Sequence, residues 1–313
     1  MNGGVLRAKS GIRTVTCRVL LVTLCLTLGA APTPGIAASA PPAKKFSHGL
    51  LWRVSKAGVR PSYIFGTIHV SDPRVLDIPD VVSRALARSK RYYMESVQGE
   101  GEAARFFEAA QFEDGRRLEP LIGAEAYASV AAMLRERQVP DEVIERIKPW
   151  AALANFTVTP EDYENTTLDQ KLLALARGRR LRVMGLEGIE EKISVFDQIP
   201  LDSQVELLKH ALAHRDDLAA MVESIIRAWM KRDLQGMHAV NDRIAARFPE
   251  MAEHYRILFR RVVENRSVVM AHRLFMPLRE GRAFIAIGAN HLYGEEGVLA
   301  LIEQQGYRVE RVY

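Results

Sequence analysis

Four short apolar runs in this chain each deliver an ionisable residue at or just past their end, and this pattern constrains the fold more than any other feature. YIFGTIH ends at His69, YYMES carries Glu95, RVMGLEG carries Glu187, and AFIAIGANH ends at His291. Short apolar runs bounded by turn-forming residues read as buried strands. In open α/β sheets, ligands bind beyond the carboxyl ends of parallel strands. Two histidines and two glutamates delivered there are sufficient to hold one divalent metal, or to supply ligands plus a general base. Gly66 and Gly288 each precede a histidine by three residues, forming two Gly-x-x-His elements. A residue without Cβ at these points lets the backbone bend or approach closely just before each imidazole.

The segments between these runs set the architecture. Residues 50–54 and 63–68 read as a strand pair turned in the region of Gly58 and Pro61, and a helix is expected after Pro79. Residues 92–94 form the next strand, and 102–177 are mainly helical with breaks near Pro120, Pro140 and Pro160. A short strand of buried type covers 181–186, a second helical stretch runs over 202–278 with a break at Pro249, and 283–287, 295–304 and 307–312 close the chain as strand, helix, strand. The expectation is an α/β fold with a mixed central sheet, an active site at the strand ends, and two helical insertions (near 102–177 and 202–278) able to form a cap. Residues 50–313 read as a single domain, preceded by a linker over 41–49.

The first 40 residues have a separate character. Arg7, Lys9, Arg13 and Arg18 precede the apolar run VLLVTLCLTL at 19–28, and small residues follow through Ala37, Ala38, Ser39 and Ala40. Basic, then apolar, then small is the layout of a secretory signal. Cleavage between Ala37 and Ala40 yields a periplasmic or secreted protein with no membrane span after signal removal. An uncleaved anchor is the alternative, although the run is shorter than the roughly 20 residues of a spanning helix. Both cysteines, Cys17 and Cys25, lie in this leader, so thiolate ligands and disulfides are not expected in the processed chain. The formal charge of +5 falls to +1 once the four leader cations are removed, which takes away the electrostatic support for nucleic-acid binding.

With these residues in place, the chain resembles the TraB/GumN proteins and the related Tiki metalloproteases. LWRV at 51–54 and YIFGTIHV at 63–70 are similar to the opening signature of that family. AIGANHLYGEEGVLALIEQQGY at 286–307 resembles the closing one, and Tyr93-Met94-Glu95 together with 169–191 matches the middle. The resemblance implies a compact α/β fold and, by analogy with the Tiki branch, divalent-metal-dependent peptide hydrolysis. It carries over His69 and His291 as metal ligands, Glu95 as ligand or general base, Glu187 as a second catalytic carboxylate, and Arg266 as a residue facing an anionic substrate. The implied cofactor is manganese, cobalt or zinc, and the implied partner is a peptide or protein substrate. The chain departs from the pattern at Gly188, Lys192 and Ser267, where threonine, glutamine and asparagine are expected.

Other features read as structural. His210 and His214 (HALAH) sit four apart on a helix but lack a glutamate after the first histidine, so they read as a surface pair. Arg177, Arg179, Arg180 and Arg182 read as a solvated helix end, and Trp52, Trp150 and Trp229 as core anchors. No glycine-rich phosphate loop and no Gly-x-Ser-x-Gly elbow occurs. The reading is an exported metal-dependent hydrolase, peptidase-like, using a metal-activated water. The alternative is a non-catalytic envelope ligand-binding protein or an accessory protein for polysaccharide export.

Overall fold

A computed structural model describes residues 45–97, 99, 101–156 and 165–313. The expected signal segment 1–40, residues 41–44 of the expected linker, both cysteines and Pro160 lie outside the described residues. Six strands form one mixed sheet: β1 (Leu51–Lys56), β2 (Val59–Thr67), β3 (Arg91–Met94), β4 (Arg182–Gly185), β5 (Ala283–Gly288) and β6 (Arg308–Arg311), in the order β4-β3-β5-β2-β1-β6. β4, β3, β5 and β2 run parallel, whereas β1 is antiparallel to both β2 and β6. The fold is therefore mixed α/β, as the strand-end pattern implied.

The order matters more than the count. β5, the last of the four parallel strands in sequence, inserts between β3 and β2, with Thr67 opposite Gly288 and Met94 opposite Ala286. Both Gly-x-x-His turns therefore leave the sheet side by side, with Glu95 on the neighbouring strand end. All six residues of β5 are buried, which accounts for the unbroken apolar run AFIAIG: with both faces covered, no position faces water. Tyr92 stacks on Phe284 with ring centroids 6.0 Å apart, and Phe65 meets both Phe284 and Trp229 at 6.4 Å. Trp52, Trp150 and Trp229 are all core residues.

Several boundaries differ from the sequence expectation for identifiable reasons. The first hairpin turns at Ala57 and Gly58, and Pro61 lies within β2, near the register irregularity between Val54 and Lys56 where the missing N–H disturbs the ladder least. Pro120 and Pro140 start helices (Glu119–Ile122 and Asp141–Arg146) instead of merely interrupting one, since proline is tolerated where the amide has no intrahelical acceptor. β4 is an edge strand of partly exposed residues, not a buried one. Residues 45–49 pack onto the domain: Phe46 is buried with its ring 5.3 Å from that of Trp52. Among the described residues no helix is long and apolar enough to cross a membrane.

The second helical insertion is tied to the strand ends. The indole Nε1 of Trp229, on the Arg215–Met230 helix, donates to the Gly66 carbonyl at 3.0 Å, and His238 Nε2, on the Leu234–Arg247 helix, donates to the Asn290 carbonyl at 2.8 Å. Each Gly-x-x-His turn thus carries one strut from the insertion. A Cβ added at Gly66 would lie 2.8 Å from Leu292 Cδ1 and 3.1 Å from Ala289 Cβ, so this glycine permits close approach of the second turn to β2. Gly66→Ala is expected to destabilise the protein by about 1–3 kcal/mol. Urea unfolding should show a lower midpoint at an unchanged m-value; an unshifted midpoint would remove the close-approach explanation.

Candidate active site

The strand ends bring His69, Glu95 and His291 together. His69 Nε2 stands 3.4 Å and His291 Nε2 3.8 Å from the same atom, Glu95 Oε1, which also accepts the Gly288 amide at 2.7 Å. A Cβ on Gly288 would sit 3.0 Å from Glu95 Oε1, 3.4 Å from His69 Nε2 and 3.4 Å from His291 Cδ2. Gly288 has an extended backbone (φ −54°, ψ 134°), so its role is to leave this space clear; no bend depends on it.

Each imidazole is fixed from behind. His69 Nδ1 donates to Asp169 Oδ2 at 2.7 Å, and Thr67 Oγ1 donates to the other oxygen at 2.7 Å. Asp169 lies in the first turn of the Leu168–Gly178 helix, whose N-terminus is held by a Thr167–Gln170 capping box and by donation from the Leu168 amide to the Val70 carbonyl at 3.3 Å. Neither Asp169 nor Thr67 was among the expected site residues. The one available signal was that Asp169 is the second residue of the LDQKLLALA stretch, where the match to the middle signature begins. His291 Nδ1 faces Ser267 Oγ at 3.0 Å and the Val263 carbonyl at 3.2 Å, while Ser267 Oγ itself donates to that carbonyl at 2.7 Å. This network places the His291 proton on Nδ1 and leaves the Nε2 lone pair facing Glu95. The Val262 and Val263 carbonyls belong to a π-helical turn, Arg260–Glu264, of the wider kind often found at functional sites.

The remaining two expected residues form a buried clamp. Arg266 Nη2 donates to Glu95 Oε2 at 2.6 Å and to Glu187 Oε2 at 2.6 Å, Nε meets both Glu187 oxygens at 3.0 and 3.1 Å, and Nη1 donates to the Val262 carbonyl at 3.2 Å. The guanidinium expected to face an anionic substrate is thus engaged by carboxylates of the chain itself. Glu187, expected to act beside Glu95, has both oxygens on Arg266. The His210/His214 pair bonds Tyr255 and Asp217 instead, and packs half-buried against Phe248. Its ring centroids lie 4.3 Å apart with the planes tilted by 30°, and burial, then the neighbouring His214, push His210 down to about 4.

The two site histidines are held in opposite protonation states. Burial disfavours the charged form of both. For His69 the carboxylates of Asp169 and then Glu95 outweigh burial and raise the pKa to about 10. For His291 burial prevails over the attraction of Glu95, and the pKa falls to about 3. Glu95 is held well below the ordinary carboxylate range: burial opposes its charge, but Arg266, His69 and His291 together override it. Lys192 is pushed down by burial and then by Arg266.

Among the described residues no group of three or more His, Cys, Asp or Glu side chains is spaced as a ready metal site. The donor types nevertheless fit: two imidazoles and one carboxylate oxygen converge around the space that Gly288 leaves clear, and His69 carries a carboxylate partner on its far nitrogen, as metal-binding histidines usually do. Two buried carboxylates, Glu95 and Glu187, meet one guanidinium within hydrogen-bond distance, and a third, Asp169, bonds Thr67 and His69. In the metal-free chain the proton on His69 offsets part of that excess negative charge; a cation would do so in its place.

A model of the TraB/PrgY/gumN family matches residues 50–311. Among curated proteins, the chain is similar to Metalloprotease TIKI1 of Homo sapiens, with 25% identity over 346 residues covering 93% of this chain and 68% of that protein. It is also similar to Metalloprotease TIKI2 of Xenopus tropicalis, with 23% identity over 320 residues, 86% of this chain and 61% of that one. A bacterial relative, YbaP of Shigella flexneri, is 22% identical over 246 residues, 77% of this chain and 88% of its own length. The chain thus spans less than two thirds of the TIKI2 protein. No solved structure matches it.

The opposed histidines make stability depend on pH in the metal-free protein. His69 rises from its ordinary 6.5 to about 10, so its contribution is complete below 6.5 and is lost as pH climbs towards 10. His291 falls from 6.5 to about 3, so its contribution is complete above 6.5 and is lost as pH drops towards 3. Denaturant unfolding across pH with a chelator present should show the alkaline loss reduced in His69→Asn and the acid loss reduced in His291→Asn. Wild-type-like pH profiles in both variants would contradict this arrangement.

Proposed function

This chain belongs to the TraB/PrgY/gumN family, and on that premise we propose that it is an exported metal-dependent hydrolase acting on peptide or protein substrates. The observation that carries the proposal is the convergence of His69 Nε2 and His291 Nε2 on Glu95 Oε1 beside Gly288. Two relatives named as metalloproteases, each matching most of this chain, support the same reading. Export rests on the basic, apolar and small-residue order of the first 40 residues.

His69, His291 and Glu95 would hold a divalent manganese, cobalt or zinc ion. Such an ion supplies Lewis acidity, polarising a carbonyl and making water nucleophilic near neutral pH. Asp169 keeps the His69 proton on Nδ1, so that Nε2 becomes a donor pair once its own proton is given up to solvent. Ser267 and Val263 keep the His291 proton on Nδ1, leaving Nε2 available without any proton loss. The depressed basicity of Glu95 suits an anionic ligand better than a general base, which works best near the operating pH. Arg266 and Glu187 are positioning residues: the guanidinium holds Glu95 through Oε2 and leaves Oε1 facing the imidazoles.

Equilibrium binding of added manganese, cobalt or zinc to the metal-free protein checks this assignment. Near-stoichiometric binding is expected in wild type and should be lost in His69→Ala, His291→Ala and Glu95→Gln, with the folded circular dichroism spectrum retained. Asp169→Asn should weaken affinity about 10–100-fold, as loss of a carboxylate behind a metal-binding histidine does. Binding that survives both histidine substitutions would overturn the hydrolase reading and leave a non-catalytic ligand-binding or export-accessory protein. Retained binding in Glu95→Gln with loss of peptide hydrolysis would instead make Glu95 the base.

A further inference from the structure

We propose that the pole of the sheet opposite the candidate active site is a docking face for an anionic phospholipid surface. The parallel strands β4, β3 and β5 start level with one another: Arg91 lies opposite both Arg182 and Ala283, and the Lys90 amide donates to the Arg282 carbonyl at 2.8 Å. A helix leads into each of these strands through a short connection, and each connection is cationic. Arg179, Arg180 and Arg182 stand at the entry to β4, Arg88 and Lys90 at the entry to β3, and Arg279 at the entry to β5. All six are exposed. Over 81–94, 170–186 and 275–288 the one acidic side chain is Glu280, and it pairs with Arg91. Among the described residues none of the six exposed cations forms an ion pair.

Helix dipoles do not account for this concentration. A cation in the last turn of a helix answers the dipole, but the effect fades within that turn, and Arg180, Arg182 and Lys90 stand beyond the helices that precede them. Residues 41–313 carry only +1 in all, so six uncompensated charges at one pole give the molecule a direction. Two features select a bilayer over other polyanions. Three level connections offer a broad face, and apolar side chains are set among the cations: Leu175, one turn before Arg179, is exposed, and Leu181 is half-buried between Arg180 and Arg182. A duplex or an acidic polysaccharide offers an exposed leucine nothing, whereas a lipid interface takes it up while its phosphates meet the guanidinium groups. Docked in this way, the chain holds His69, Glu95 and His291 away from the lipid, beyond about 13 Å of β3 at roughly 3.3 Å per residue. The docking face does not depend on the hydrolase reading.

The test reads the pole itself. In the full chain carrying Leu175→Trp, the introduced indole reports on this face, because Trp52, Trp150 and Trp229 are buried. Vesicles of brominated phosphatidylglycerol should quench its emission saturably, vesicles of brominated phosphatidylcholine should not, and added salt should weaken the effect. Arg179→Gln, Arg180→Gln and Arg182→Gln together should lower the apparent partition about 100-fold, at roughly fivefold per cation, and Arg88→Gln with Lys90→Gln about 25-fold. Arg116→Gln, Arg117→Gln and Arg135→Gln, which remove the same charge away from the pole connections, should leave it nearly unchanged. No quenching by anionic vesicles, equal quenching by neutral ones, an undiminished response in either folded pole variant, or an equal loss in the 116–135 variant would overturn the docking face. Tight binding of duplex DNA or heparin without quenching by vesicles would do the same, and would make the pole a site for a polyanionic chain.

Discussion

One buried guanidinium organises the strand ends. Arg266 reaches Glu95 past the end of β3 and Glu187 past the end of β4, and its Nη1 returns to a carbonyl of its own helical segment. A buried arginine with its donors met in this way is stable where an unpaired one is not. Removing a single partner of a buried ion pair typically costs about 3–5 kcal/mol, because the charge left behind has neither water nor counter-ion. The clamp therefore joins the late helix to the sheet and, by occupying Glu95 Oε2, determines which face of that carboxylate is offered to the histidines.

The two imidazoles share a carboxylate but differ in what supports them. His69 is backed by Asp169, whose charge stabilises a proton on the ring; His291 is backed by a hydroxyl and a carbonyl, which fix its tautomer and favour its charge too weakly to outweigh burial. Burial acts on both rings, and the nature of the supporting group decides which one becomes charged. The site thus contains one imidazole ready to donate a lone pair and one that must first release a proton. The same electrostatic excess that holds the proton on His69 is what would favour a divalent cation in its place.

Much of this was legible in the chain itself. The strands show because a fully buried parallel strand admits only apolar residues, and the site shows because those runs stop abruptly on His or Glu. Asp169 escaped notice for the opposite reason, and Ser267 showed only as a departure from the family pattern, without its role. Each sits in the first turns of a helix, where a polar residue is the ordinary occupant and no local pattern separates a second support for an imidazole from a solvated side chain. Pro61, Pro120 and Pro140 show a related limit: proline marks a place where an amide hydrogen is dispensable, which is as true of a strand irregularity or a helix start as of a break.

The sequence by itself determined the mixed α/β class, the four ionisable strand ends, and the two glycines that clear space around them. These follow from local rules of burial and backbone freedom, each read within a few residues. Only the tertiary structure decided that β5 lies between β3 and β2, that Arg266 turns towards Glu95 and Glu187, and that Asp169 supports His69 while Ser267 supports His291. These pairings join residues 24 to 171 positions apart in the chain. They are set by strand order and by the requirement that buried charges find partners, and neither leaves a periodic trace in the chain.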